Sequence, residues 1–100
     1  MKAGNGNRTN ASARSAALSY SGQGAPTLVA KGDGEIARRI ADLALEHDIP
    51  IVQDAQLTGL LCQIPLGDEI PPNLYVAVAE VLAYVYRLNE SLNESLDDKA

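Results

Sequence analysis

The chain predicts an α/β fold, a small mixed β-sheet of three to four strands that contains a βαβ unit and is packed by three to four helices. Three observations carry that reading. Short apolar runs at Ala16–Tyr20, Thr27–Lys31 and Ile49–Val52 are bounded by Gly, Pro, Asp or Ser, as strands are. Between the second and third runs, apolar residues recur at three- and four-residue spacing, the period of a helix. Finally, Ile70–Leu88 opens at Pro71-Pro72 and has only Glu80 and Arg87 as charges between Asn73 and Asn89. A helix that apolar needs cover on most sides, from the rest of the chain or from another protein.

Each element follows from local chemistry. Ala16–Tyr20 and Thr27–Lys31 flank Ser21-Gly22-Gln23-Gly24, where two glycines can take positive φ, so the two strands are expected to be antiparallel. Pro26 steers Ala25 out of the α region and enforces an extended entry to the second strand. A helix over about residues 35–47 is predicted, with Asp33 as N-cap, Glu35 in the first turn, and Ile36, Ile40, Leu43, Ala44 and His47 along one side. Ile49–Val52 then reads as a short buried strand. Strand, helix and strand with tight links predict a parallel pair joined by a right-handed crossover.

Asp54 is expected to cap a second helix from Ala55 to about Gln63, with Leu57, Leu60, Leu61 and Ile64 at helical spacing. Pro65, Gly67 and Asp68 end it in a loop. The last helix begins at Pro71-Pro72, where the missing N–H groups cost nothing, and Asp68 and Glu69 complement its N-terminus. Leu74, Val78, Val81, Leu82, Val85 and Leu88 fall on one side, and Asn89 marks the exit. Residues 1–13 and 90–100 are rich in Gly, Asn, Ser and acids and are expected to be disordered, leaving 14–89 as the folded domain.

Composition narrows the function. A net charge of −5, with the acidic residues partly in the C-terminal tail, does not make a phosphate-binding surface, so no nucleic-acid partner is expected. One cysteine, Cys62, allows no internal disulfide and sits in an apolar helical pattern that suits an inert, buried thiol. The N-terminus has no apolar signal-like run, and no stretch is long and apolar enough to insert in a bilayer, which predicts a cytoplasmic chain.

The residues that could carry chemistry are few. The Gly32–Glu35 turn between strand and helix is a place where phosphate could bind, the basis for a small-ligand or nucleotide-binding alternative. Against it, Walker spacing and the three-glycine fingerprint are absent, and Asp33 and Glu35 would repel a phosphate. His47 and Cys62 lie in different elements with no further ligands, so no metal, cofactor or catalytic group is predicted. Three of the four tyrosines, Tyr75, Tyr84 and Tyr86, lie on one helix, and tyrosine suits protein interfaces because its ring is apolar and its tip stays wet.

In this order of elements, three segments stand out: Ala25-Pro-Thr-Leu-Val-Ala-Lys-Gly32, Ile49-Pro-Ile-Val52, and Gly67-Asp-Glu-Ile-Pro-Pro-Asn-Leu-Tyr75 followed by Ala77–Tyr86. Together they resemble the cytoplasmic domain of the FlhB/YscU family, the substrate-specificity switch proteins of flagellar and type III secretion export machines. The resemblance runs from about Asn10 to Leu88. Family members usually carry transmembrane helices ahead of this domain, so the chain resembles a free-standing copy of it.

The family's self-cleavage motif, Asn-Pro-Thr-His, aligns with Asn10-Ala11-Ser12-Ala13. In the family the asparagine side chain is understood to attack its own carbonyl carbon, forming a succinimide and releasing the proline. That chemistry needs a strained turn, which the proline helps to fix, and polar assistance to proton movement. With alanine in both the Pro and His positions, no self-cleavage is expected. The resemblance implies a non-enzymatic, protein-binding module of the export apparatus, peripheral to the inner membrane, with export components as partners. Candidate contacts are Lys31, Gly32 and Asp33, and Pro71, Pro72, Tyr75, Tyr84 and Tyr86.

Overall fold

The computed structural model describes the backbone of residues 13–99 and the side chains of residues 13–88. The expectations for residues 1–12, including Asn10, Ala11 and Ser12, lie outside this range. The chain divides between Ile70 and Pro71 into two units.

The first unit is built on an antiparallel pair, β1 (Arg14–Ser19) and β2 (Thr27–Asp33), as the glycine-containing turn predicts. Gly22 and Gly24 both take positive φ, at 97° and 73°. The register passes from Ala17↔Ala30 to Leu18↔Leu28, so Val29 has no partner and forms a bulge. Helix α1 (Gly34–Glu46) follows β2 without a loop. The backbone makes that change of direction at Gly34, whose φ of 59° costs an L-side chain about 1–2 kcal/mol. Asp33 holds the N-cap position with extended backbone, but its side chain makes no capping bond.

α1 packs on both strands. Its covered side is Ala37, buried, with Ile40, Ala41 and Ala44 half-buried, while Ile36, Leu43 and His47 of the expected stripe are exposed. Gly32 lies close to the first turn of this helix. A Cβ there would come within 2.8 Å of Ile36 Cβ and 3.7 Å of Ala37 N. The strand-to-helix change therefore leaves no room for a side chain at position 32 beside Ile36.

The helix ends in a Schellman arrangement. Asp48 N donates to Leu45 O at 3.2 Å, Ile49 N donates to Ala44 O at 2.8 Å, and Asp48 takes the left-handed φ of 57°. The expected strand at Ile49–Val52 is absent. Ile49 and Ile51 are 56% and 46% exposed, and Pro50 lacks the N–H that a ladder requires. The segment that does lie along β2 comes later. Leu28 N donates to Asp68 O, Gly67 N to Leu28 O and Ile70 N to Pro26 O at 2.8–3.0 Å, and Thr27 and Glu69 form an antiparallel bridge.

The α/β class therefore stands, with a sheet of two strands among the described residues in place of three to four, and without the βαβ crossover. Helix α2 (Ala55–Leu61) starts as expected, with Leu57 N donating to Asp54 Oδ1 at 3.0 Å. Its Leu57 and Leu61, with Ile64, are buried; Leu60 is exposed. With Leu28, Ala37 and Ile70 they form the core of this unit.

The second unit opens at Pro71 and passes through one 3-10 turn, Pro72–Leu74, into helix α3 (Tyr75–Lys99). Its backbone continues past the expected exit at Asn89. Leu74 and Val78 are buried and Val81, Leu82 and Val85 half-buried, which is the side expected from the spacing; Leu88, at its end, is exposed.

Candidate functional site

The predicted contact residues fall into two sets, one in each unit. In the first, Lys31, Gly32 and Asp33 end β2. Lys31 is half-buried and its amine donates to Cys62 O at 3.0 Å and Ile64 O at 2.7 Å. These carbonyls lie just past the end of α2, where helical partners run out and a cation is favoured. Gly32 is half-buried against Ile36, and Asp33 is exposed. Of these three, Asp33 has the most open surface.

Around Lys31, the strand and helix ends are tied together by side-chain to backbone bonds. Ser15 Oγ donates to Ala37 O at 3.0 Å, linking β1 to α1. Cys62 Sγ donates to Ser15 O at 3.5 Å, linking α2 to β1. The thiol is half-buried there and not fully buried as expected, because Cys62 caps the end of α2 and does not lie on its covered side. The Lys31 bonds escape sequence reading because they join residues 31 and 33 positions apart.

At the Gly32–Glu35 turn one backbone amide is already engaged. Gly34 N, the first amide of α1, donates to Ala13 O at 3.0 Å, and Asp33 and Glu35 are exposed acids beside it. Ala13, at the fourth position of the aligned cleavage motif, is thereby tied to the start of α1. Among the described residues no group of three or more His, Cys, Asp or Glu side chains is placed to hold a metal, and no helix is long and apolar enough to cross a membrane.

In the second unit, Pro71 is half-buried and Pro72 exposed at the 3-10 turn. Tyr75, Tyr84 and Tyr86 are 46%, 45% and 58% exposed. At about 100° per residue, Tyr75 and Tyr86 fall within about 20° of each other on one face, whereas Tyr84 points to the opposite side. Val76, 75% exposed, with Ala79 and Ala83, completes an apolar face that includes Tyr75 and Tyr86, bordered by Glu80 and Arg87. The tyrosines thus form two surfaces and not one.

Comparison with known proteins places the chain. It is 43% identical over 83 residues to the flagellar biosynthetic protein FlhB of Yersinia enterocolitica, covering 80% of this chain and 22% of that protein. The uncharacterized protein YlqH of Bacillus subtilis (strain 168) is 37% identical over 68 residues, covering 68% of this chain and 73% of YlqH. The crystal structure of the PscU C-terminal domain matches with a TM-score of 0.67 at 27% identity, over 72% of this chain and 95% of that one. Residues 9–85 match the model of one family along nearly all of the described α/β unit and the apolar start of α3, and the chain belongs to it: the FlhB HrpN YscU SpaS family.

Proposed function

We propose that this chain acts as a non-enzymatic protein-binding domain of a flagellar or type III protein export apparatus, similar to the export specificity switch domain. The observation that carries this reading is the family match over residues 9–85, joined by identity to FlhB proteins named for flagellar biosynthesis. The export components that it meets dock on the half-buried Pro71 and on exposed groups: Pro72 at the 3-10 turn, Tyr75 and Tyr86 on one face of α3, Tyr84 on the other, and Asp33 at the end of β2. Lys31 and Gly32 shape that end of β2, Lys31 by fixing the end of α2 and Gly32 by admitting Ile36.

The domain does not cleave itself. Ala11 and Ala13 stand where the family motif has proline and histidine, so the sequence supplies neither the proline that helps to fix the turn nor the imidazole that assists proton movement in succinimide formation. Intact mass after prolonged incubation at neutral pH checks this: one species of full mass is expected, and two fragments divided after Asn10 would refute it. The docking role is tested by affinity capture from cells that carry an export apparatus, with the Tyr75→Ser/Tyr86→Ser variant as control. Enrichment of export components by the parent chain and its loss in the variant are expected. Equal enrichment by both would remove the tyrosine face from the account.

A further inference from the structure

We infer that the exposed face of α3 formed by Val76, Ala79, Ala83 and Tyr86 docks a second copy of this chain, with the two helices antiparallel. The four residues follow 3-4-3 spacing, the a and d positions of a short heptad seam, and all four are exposed. Antiparallel helices pair a with d. One register satisfies every layer at once: Val76 opposite Tyr86 and Ala79 opposite Ala83, each pair made twice about a two-fold axis. The alanines at the centre let the axes approach, and the larger Val76 and Tyr86 close the two ends.

The charges select this occupant and orientation. Glu80 and Arg87 are seven residues apart, so they occupy the same heptad position on the same border of the seam. In an antiparallel pair, like borders meet. Helical side chains lean toward their own N-terminus, so Glu80 of one copy and Arg87 of the other lean toward each other, and the pair is made twice. A parallel pair would set both charges beside Tyr75 and Leu82, with no opposite charge to meet. The face is therefore self-complementary in shape and in charge.

The seam from Val76 to Arg87 runs roughly 17 Å at 1.5 Å per residue. A patch of that length buries less than about 1,200 Å², the size of weak and rapidly exchanging contacts, and a dissociation constant on the order of 100 μM is expected. The inference rests on α3 alone and is independent of the export reading. Tyr86 belongs to both surfaces, so self-association and export docking on that face exclude each other.

Sedimentation of the full chain from about 10 μM to about 1 mM tests this. The parent chain is expected to shift from monomer to dimer across that range. Glu80→Arg alone places Arg against Arg87, and Arg87→Glu alone places Glu against Glu80; each is expected to weaken association about fivefold or more. Mixing the two single variants, or combining them in one chain, restores opposite pairs and dimerisation, a result that a general effect on folding would not produce. Circular dichroism confirms that each variant is folded. A parent chain that stays monomeric at about 1 mM would overturn the inference and leave the face to a different protein. So would single reversals without effect, or a mixture of the two that does not associate.

Discussion

Replacing Lys31 with methionine separates the two roles open to it, a contact for partners and a clamp within the fold. Methionine keeps most of the apolar stem and removes the amine, which donates at 3.0 Å to Cys62 O and at 2.7 Å to Ile64 O. Hydrogen bonds to a charged group contribute about 1.5–3 kcal/mol each. Two would give roughly 3–6 kcal/mol, but the site is half-buried and water can replace part of what is lost, while the folded state no longer has to desolvate an ammonium group. A net loss of about 2 kcal/mol follows, which for a domain of this size lowers Tm by about 8–16 °C. Urea unfolding followed by far-UV circular dichroism measures it, and an unchanged m-value shows that the difference lies in stability. A variant within about 0.5 kcal/mol of the parent would refute the clamp, since surface substitutions fall in that range.

Three further substitutions test the backbone argument with the same unfolding measurement. Gly34→Ala forces a side chain into the left-handed φ at the strand-to-helix change and is expected to cost about 1–2 kcal/mol; no loss would mean that the chain turns there in another way. Asp48→Gly is expected to stabilise by about 0.5–1 kcal/mol, because it relieves the left-handed φ of 57° and removes a negative charge from a helix C-terminus; destabilisation would contradict the Schellman ending. Gly32→Ala places a methyl group against Ile36 and is expected to cost about 1–3 kcal/mol, with Gly32→Ala/Ile36→Ala recovering part of it if the clash is the cause.

What the sequence made legible was local. The antiparallel pair was readable from glycines at 22 and 24 between two apolar runs, the start of α2 from Asp54, and the covered side of α3 from its spacing. The Ile49–Val52 segment was misread because its apolar content matches a buried strand, whereas Asp48 turns the chain sharply and Pro50 withholds a donor. A left-handed cap made by aspartate lacks the glycine that usually marks it. The orientation of α1 could not be read from spacing alone, since Ile36, Leu43 and His47 match a helical stripe as well as Ala37 and Ala41 do. Packing on both strands covers the side of Ala37, Ile40, Ala41 and Ala44. In the candidate site, the three tyrosines read as one set because they share a helix, although the helical angle that separates Tyr84 from Tyr75 and Tyr86 divides them into two faces. The role of Lys31 was hidden because its partners lie in another element.

The central claim is that this domain exists to be docked by other proteins of an export machine. Photo-crosslinking in cells, with a photoreactive residue in place of Tyr75 or Tyr84 and a control at the exposed Leu45 of α1, addresses it most directly. Crosslinks from the α3 positions to export apparatus proteins, with none from residue 45, are expected. Crosslinks from α3 only to a second copy of the chain, or to no protein at all, would contradict the claim.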